Sequence, residues 1–126
     1  MTVEEAGAIL GKNYVCEKGS LIYDVSERSV FSADSFWELY DSIITLGTER
    51  PENEANLETG GKICRVCQWV LEMMIHHFDK NDLYEMKSFP QNYTDYIERL
   101  GDAADTYFRG VYIDESLYSI KRPQGK

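Results

Sequence analysis

Residues 14–31 read YVCEKGSLIYDVSERSVF, and how they fold decides the class of the whole chain. Two β-favouring runs, Tyr14-Val15-Cys16 and Leu21-Ile22-Tyr23-Asp24-Val25, flank Glu17-Lys18-Gly19-Ser20, which has the glycine and the length of a hairpin loop. Val30-Phe31 follows the polar turn Ser26-Glu27-Arg28-Ser29 as a third short strand. This reading predicts a small N-terminal antiparallel β-meander and makes the chain α+β, dominated by three to four helices.

On the N-terminal side, Thr2 and Glu5 form a capping box. Val3, Ala6, Ile9 and Leu10 make a short apolar stripe behind it, and Gly11 stands where a helix would stop. On the C-terminal side the period changes at Ser35, which pairs with Glu38 as a second capping box. Phe36, Trp37, Tyr40, Ile43 and Ile44 then recur at helical spacing until Gly47. Thr48 to Asn56, with Pro51 and no apolar period, predicts a loop. Ile63, Cys67, Val70, Met74 and Phe78, thickened by Val66, Leu71 and Ile75, give a face so wide that it needs cover on more than one side. That helix is therefore the central core helix or in part a homodimer seam, with Gly60-Gly61 marking its start.

Asn81 to Phe89 reads as a shorter amphipathic piece ended by Pro90. Tyr93, Tyr96, Ile97, Leu100, Ala103, Ala104 and Tyr107 then step at three and four up to Gly110, while Asp95, Glu98, Arg99, Asp102 and Asp105 fill the other face. Val111-Tyr112-Ile113 predicts a last short strand, and Lys121, Arg122 and Lys126 a frayed basic tail. With 126 residues the chain is one domain. Residues 1–33 hold the short helix and meander, 34–110 the helical core, and 111–126 the strand and tail.

Composition narrows the function. At 43% hydrophobic and 28% charged residues with 3 prolines the chain is globular rather than disordered. The run Ile63 to Ile75 is broken by Arg65, Gln68 and Glu72, so it is no membrane span. Twenty-two acids against 13 bases give a net charge of −9, which repels nucleic acid and anionic membranes and suits a basic protein partner. The N-terminus lacks a secretory pattern and the 3 cysteines make an odd count, so the expected compartment is the cytoplasm.

Few residues carry chemistry. Cys64-Arg65-Val66-Cys67 has the spacing of zinc or disulfide-exchange motifs but lies inside an apolar helical run, with His76 as the weak third ligand. Neither a nucleophile elbow nor a phosphate-binding loop is present, so the sequence leans against an enzyme and predicts no cofactor. Six of the 9 tyrosines fall from Tyr84 onward, among acids. Tyr93, Asp95, Glu98, Asp102, Asp105 and Tyr112 are accordingly the candidate partner-binding set. The leading expectation is a non-catalytic acidic inhibitor that neutralises a basic partner such as a toxin, nuclease or host defence protein, in the manner of immunity proteins, antitoxins and anti-defence proteins. The alternative is a nucleotide or metal site in a helix-lined or dimer-interface pocket, using Arg65, Arg99, Arg109 and Tyr107.

Overall fold

The computed structural model describes residues 1–50 and 55–123. Its architecture corrects the α+β expectation: the described residues form five α-helices and no strand. They are α1 Val3–Tyr14, α2 Leu21–Ser26, α3 Ala33–Thr48, α4 Leu57–Phe78 and α5 Tyr93–Arg109, followed by a single 3₁₀ turn at Glu115–Leu117.

Residues 14–31 turn helical because polar side chains cap them as helices. The buried Asn13 amide donates to Ile9 O at 3.0 Å and its Oδ1 accepts from Ile22 N at 3.1 Å, stitching α1 to the first turn of α2. Ser20 caps the same turn by accepting from Tyr23 N at 3.1 Å. Cys16, at φ 56°, and Gly19, at φ 93°, supply the left-handed residues of the connection. Leu21, Ile22 and Val25 are all buried, so a run that looked like a strand is a short helix enclosed on nearly every side. Val30 contributes a single parallel bridge to Lys87, in place of the third strand of an antiparallel meander. Val111-Tyr112-Ile113 forms no strand, and Asn81–Phe89 forms no helix.

The capping box at Thr2 and Glu5 is present, but α1 runs past Gly11 to Tyr14. Helix α3 is capped by Ser32, one turn before Ser35. Helix α4 starts at Leu57 behind an Asn56 cap, ahead of Gly60-Gly61. Of the expected loop over Thr48–Asn56, residues 51–54 lie outside the described residues, while Thr48 closes α3. Gly110, at φ 67°, ends α5 as its sequence position predicts.

Helix α3, rather than α4, is the centre of the bundle, and its most extensive packing is against α1 and α5. Phe36, Leu39, Tyr40 and Ile43 are fully buried on it. Close approach to α5 rests on Gly47, where an added Cβ would meet Thr106 Cγ2 and Tyr107 N, each at 3.0 Å. Helix α4 packs on α5, α1 and α2 to similar extents and buries Ile63, Val66, Val70 and Met74.

The segment between α4 and α5 is pinned without regular structure. Met86 is buried, and its N–H donates to His77 Nδ1 at 3.0 Å. The His77 ring stacks on Phe89 at 4.0 Å between centroids, and Tyr84 Oη donates to Val25 O. No described helix is long and apolar enough to cross a membrane.

Two glycines separate packing from propensity. Gly47→Ala forces a methyl against α5 backbone and is expected to cost about 1–3 kcal/mol. Gly101→Ala, where a Cβ meets nothing within 4 Å, is expected to stabilise by roughly 0.5–1 kcal/mol. Urea unfolding of both variants gives the two signs.

Candidate functional site

Arg99, expected on the polar face of α5, is 0% exposed. It sits three residues after Tyr96 and four before Ala103, along the edge of α5 that faces α3. Its guanidinium donates from Nη1 to Tyr40 Oη at 2.9 Å and Glu115 Oε2 at 2.6 Å, and from Nη2 to Glu115 Oε1 at 3.0 Å and Ile120 O at 2.8 Å. Tyr118 covers its face with the ring centroid 4.0 Å from Cζ. Burial opposes the charge, but the hydrogen bonds to Glu115 and Tyr40 outweigh it and raise the pKa of Arg99. Reciprocally, the hydrogen bonds from Arg99 hold the Glu115 carboxyl below the usual range. Burial raises Tyr40. Burial and then the bond to Asp102 raise Tyr118.

These contacts turn the expected frayed tail, up to Pro123, into a strap across α3 and α5. Arg122 pairs with Asp41, and Lys121 Nζ donates to Glu115 O at 2.9 Å. Burial pushes the Asp41 carboxyl above the usual range in spite of Arg122. Arg99 is therefore engaged by its own chain.

The other residues of the pocket alternative do not converge either. Tyr107 is buried, with its hydroxyl accepting from Asn56 N at 2.9 Å. Arg65 lies over Trp69 and 3.7 Å from Glu72 on α4, and the exposed Arg109 is 3.5 Å from Asp105. A cavity of about 260 Å³ lies between α3, the end of α5 and the strap, bordered by Tyr40, Thr106, Tyr112, Glu115 and Arg122. Its charged groups are already paired with Arg99 and Asp41.

Among the described residues no group of three or more His, Cys, Asp or Glu side chains comes together to hold a metal. His76 turns to Asp82, Nδ1 to Oδ2 2.9 Å. Cys64 is exposed, whereas burial pushes the Cys67 thiol up to about 12, so it stays protonated and poorly suited as a ligand or nucleophile.

Both cysteines instead border an open groove of about 350 Å³ between α4 and α5. Cys64, Gln68 and Leu71 form one wall, Ile97, Gly101 and Ala104 the other, with buried Val70 and Leu100 beneath. The groove offers apolar surface and no acid–base pair. Periodicity alone does not mark this groove; the glycine in mid-helix at Gly101 is the sequence signal for it.

Of the partner-binding set, Asp95, Glu98, Asp102 and Asp105 recur at three and four residues along one side of α5. Asp102 turns toward Tyr118. Tyr93 packs against Phe78 and Phe89 at 5.2 and 5.3 Å, while Tyr112 stands exposed on the strap. No family model, curated protein or solved structure matches the chain.

The strap has a pH signature. Because the folded pKa of Glu115 is lowered, its contribution is present above the ordinary glutamate range and is lost as pH falls through the lowered value. Asp41, being raised, works the other way, losing stability as pH rises toward its own value. Protection factors for amide exchange over 111–123, corrected for the intrinsic pH dependence, should therefore fall in acid. Glu115→Gln should open the strap at neutral pH and remove that acid dependence, at a cost of about 1–2 kcal/mol, reduced because the Glu115 side chain is 48% exposed.

The thiols should separate as well. Cys64 is expected to react with iodoacetamide at neutral pH, and Cys67 to be labelled only on unfolding, as peptide mass mapping would read.

Proposed function

We propose that the protein is a non-catalytic acidic binding protein that engages a basic protein partner through the exposed side of α5. The observation that carries this reading is the line Asp95, Glu98 and Asp105 on α5. Glu98 is exposed, and Asp105 has only a partly exposed pairing with Arg109 at 3.5 Å. Such exposed pairs are worth little, so these carboxylates can exchange partners readily. Clustered acids of this kind raise association rates with a cationic surface and suppress wrong partners. An inhibitor of the immunity-protein or antitoxin type fits this chemistry, because carboxylates presented on a rigid helix occupy positions where a basic protein would bind phosphates. The small-ligand alternative is weakened by the internal engagement of Arg99 and Tyr107.

The test is affinity capture from expressing cells with wild type and with the triple reversal Asp95→Lys, Glu98→Lys and Asp105→Lys, using Glu4→Lys with Glu5→Lys on α1 as the control. A basic protein should be retained by wild type and the control and lost by the triple variant. Its on-rate should fall by about tenfold or more and lose most of its salt dependence. Equal binding by the triple variant would remove α5 as the contact.

A further inference from the structure

We infer that the α4–α5 groove receives an amphipathic helix of the basic partner, its apolar ridge seated between Leu71 and Ile97 and its Lys or Arg side chains over Glu98 and Asp105. This rests on the acidic-binding reading above and adds to it the form of the ligand and the residues that select it.

The groove has the dimensions of a helix seat. Its walls run from Cys64 to Leu71 and from Ile97 to Ala104, eight residues each, which is about 10 Å or two helical turns. That length admits apolar anchors at i, i+3 or i+4, and i+7 of an incoming helix. Gly101 keeps it open. Gly47 and Gly60 are required by neighbouring atoms inside the bundle, where a Cβ would meet Thr106 and Phe108 respectively. At Gly101 a Cβ would meet nothing within 4 Å, so internal packing does not call for glycine there. Its absent side chain lets a third helix approach closely.

Charge selects the occupant. Gly101 has Glu98 three residues before it and Asp105 four after it, so the α5 lip is acidic. On the α4 lip, Gln68 stands between Arg65 and Glu72, which neutralise each other at 3.7 Å. The opening is apolar within and negative on one side, complementary to a helix with a cationic flank. A second copy of this chain, at net charge −9, would bring like charge against that lip. Anionic membranes are disfavoured for the same reason.

The probe is a synthetic amidated peptide of about 18 residues, five turns, with leucines at i, i+3, i+4 and i+7 and lysines elsewhere. A leucine–glutamate peptide of the same pattern is the control. Backbone amide shifts of the full chain report the site, and fluorescence anisotropy reports affinity at low and high salt. The lysine peptide should shift amides along 64–71 and 97–104, and the glutamate peptide should not bind. Gly101→Leu, which fills the groove, should weaken binding by about tenfold or more while its unfolding temperature stays at or above wild type. Glu98→Lys with Asp105→Lys should weaken it and flatten the salt dependence.

If Gly101→Leu binds as wild type while the charge reversal does not, the acidic-surface reading stands and the groove inference fails. Loss with Gly101→Leu but indifference to charge reversal overturns the cationic occupant. Shifts confined to neither wall overturn both readings. A wild-type dimer dissolved by Gly101→Leu would assign the groove to a second copy and likewise overturn the inference.

Discussion

A guanidinium with no access to water must find its partners within its own protein, and the two Nη groups of Arg99 find them in three separate parts of this one, while its buried Nε has none. Tyr40 of α3, Glu115 at the 3₁₀ turn and the carbonyl of Ile120 all converge on it, under the ring of Tyr118. Removing such a cation from water is expensive, and the cost is recovered only when charge and hydrogen bonds are supplied in good geometry. The bidentate carboxylate of Glu115 supplies both, since the planar fork of arginine matches it. The C-terminal segment is thereby held across α3 and α5, with Tyr118 and Ile120 adding apolar contact to the polar tie.

The position of α3 follows from the same constraint. Tyr40 has to reach Arg99, and one face of α3 is closed against α5 at Gly47, where the two backbones nearly touch. With α5 drawn toward α3 and the strap, less of it remains for α4. Helix α4 divides its packing among α1, α2 and α5, and lies against α5 less extensively than α3 does. The groove along Gly101 is the geometric result of α5 being committed to one neighbour more than the other.

Much of this was legible in sequence, with a consistent pattern to what was not. Periodicity located α3, α4 and α5, because amphipathic helices of this length bury one face. The capping box at Thr2 and Glu5 and the stop at Gly110 were legible because they are local hydrogen-bond and dihedral requirements. Residues 14–31 were misread because a six-residue helix buried on most sides has no period, and its β-branched content then dominates. The decisive residue there, Asn13, acts over nine positions. Gly47 and Gly60 read as helix ends, since sequence does not distinguish a glycine that terminates from one that permits close packing. The acids at 95, 98, 102 and 105 were correctly placed along one side of α5, but Asp102 was not separable from the rest without Tyr118. Arg99 was set among them although its spacing from Tyr96 and Ala103 pointed to the buried edge.

The way the bases are used sharpens the meaning of the net charge. Lys12, Arg28, Lys62, Arg65, Arg99, Arg109 and Arg122 each lie within ion-pair distance of an acid of the same chain. Four of these pairs are local to a single helix or its end, whereas Lys12 with Glu38, Arg99 with Glu115 and Arg122 with Asp41 join separate parts of the chain. Two of those pairs, Arg99 with Glu115 and Arg122 with Asp41, fix the strap. Acids outside the described pairs include Glu4 and Glu5 on α1 and Glu17, Asp79 and Glu85 in the connections. Along α5, Asp95 and Glu98 stand without a cation among the described pairs, and Asp105 holds Arg109 only at 3.5 Å and in solvent. An excess of acid distributed evenly would serve solubility alone. On the proposed reading, the acids of α5 beside an unfilled apolar groove would draw a cationic partner toward a surface where burial can hold it.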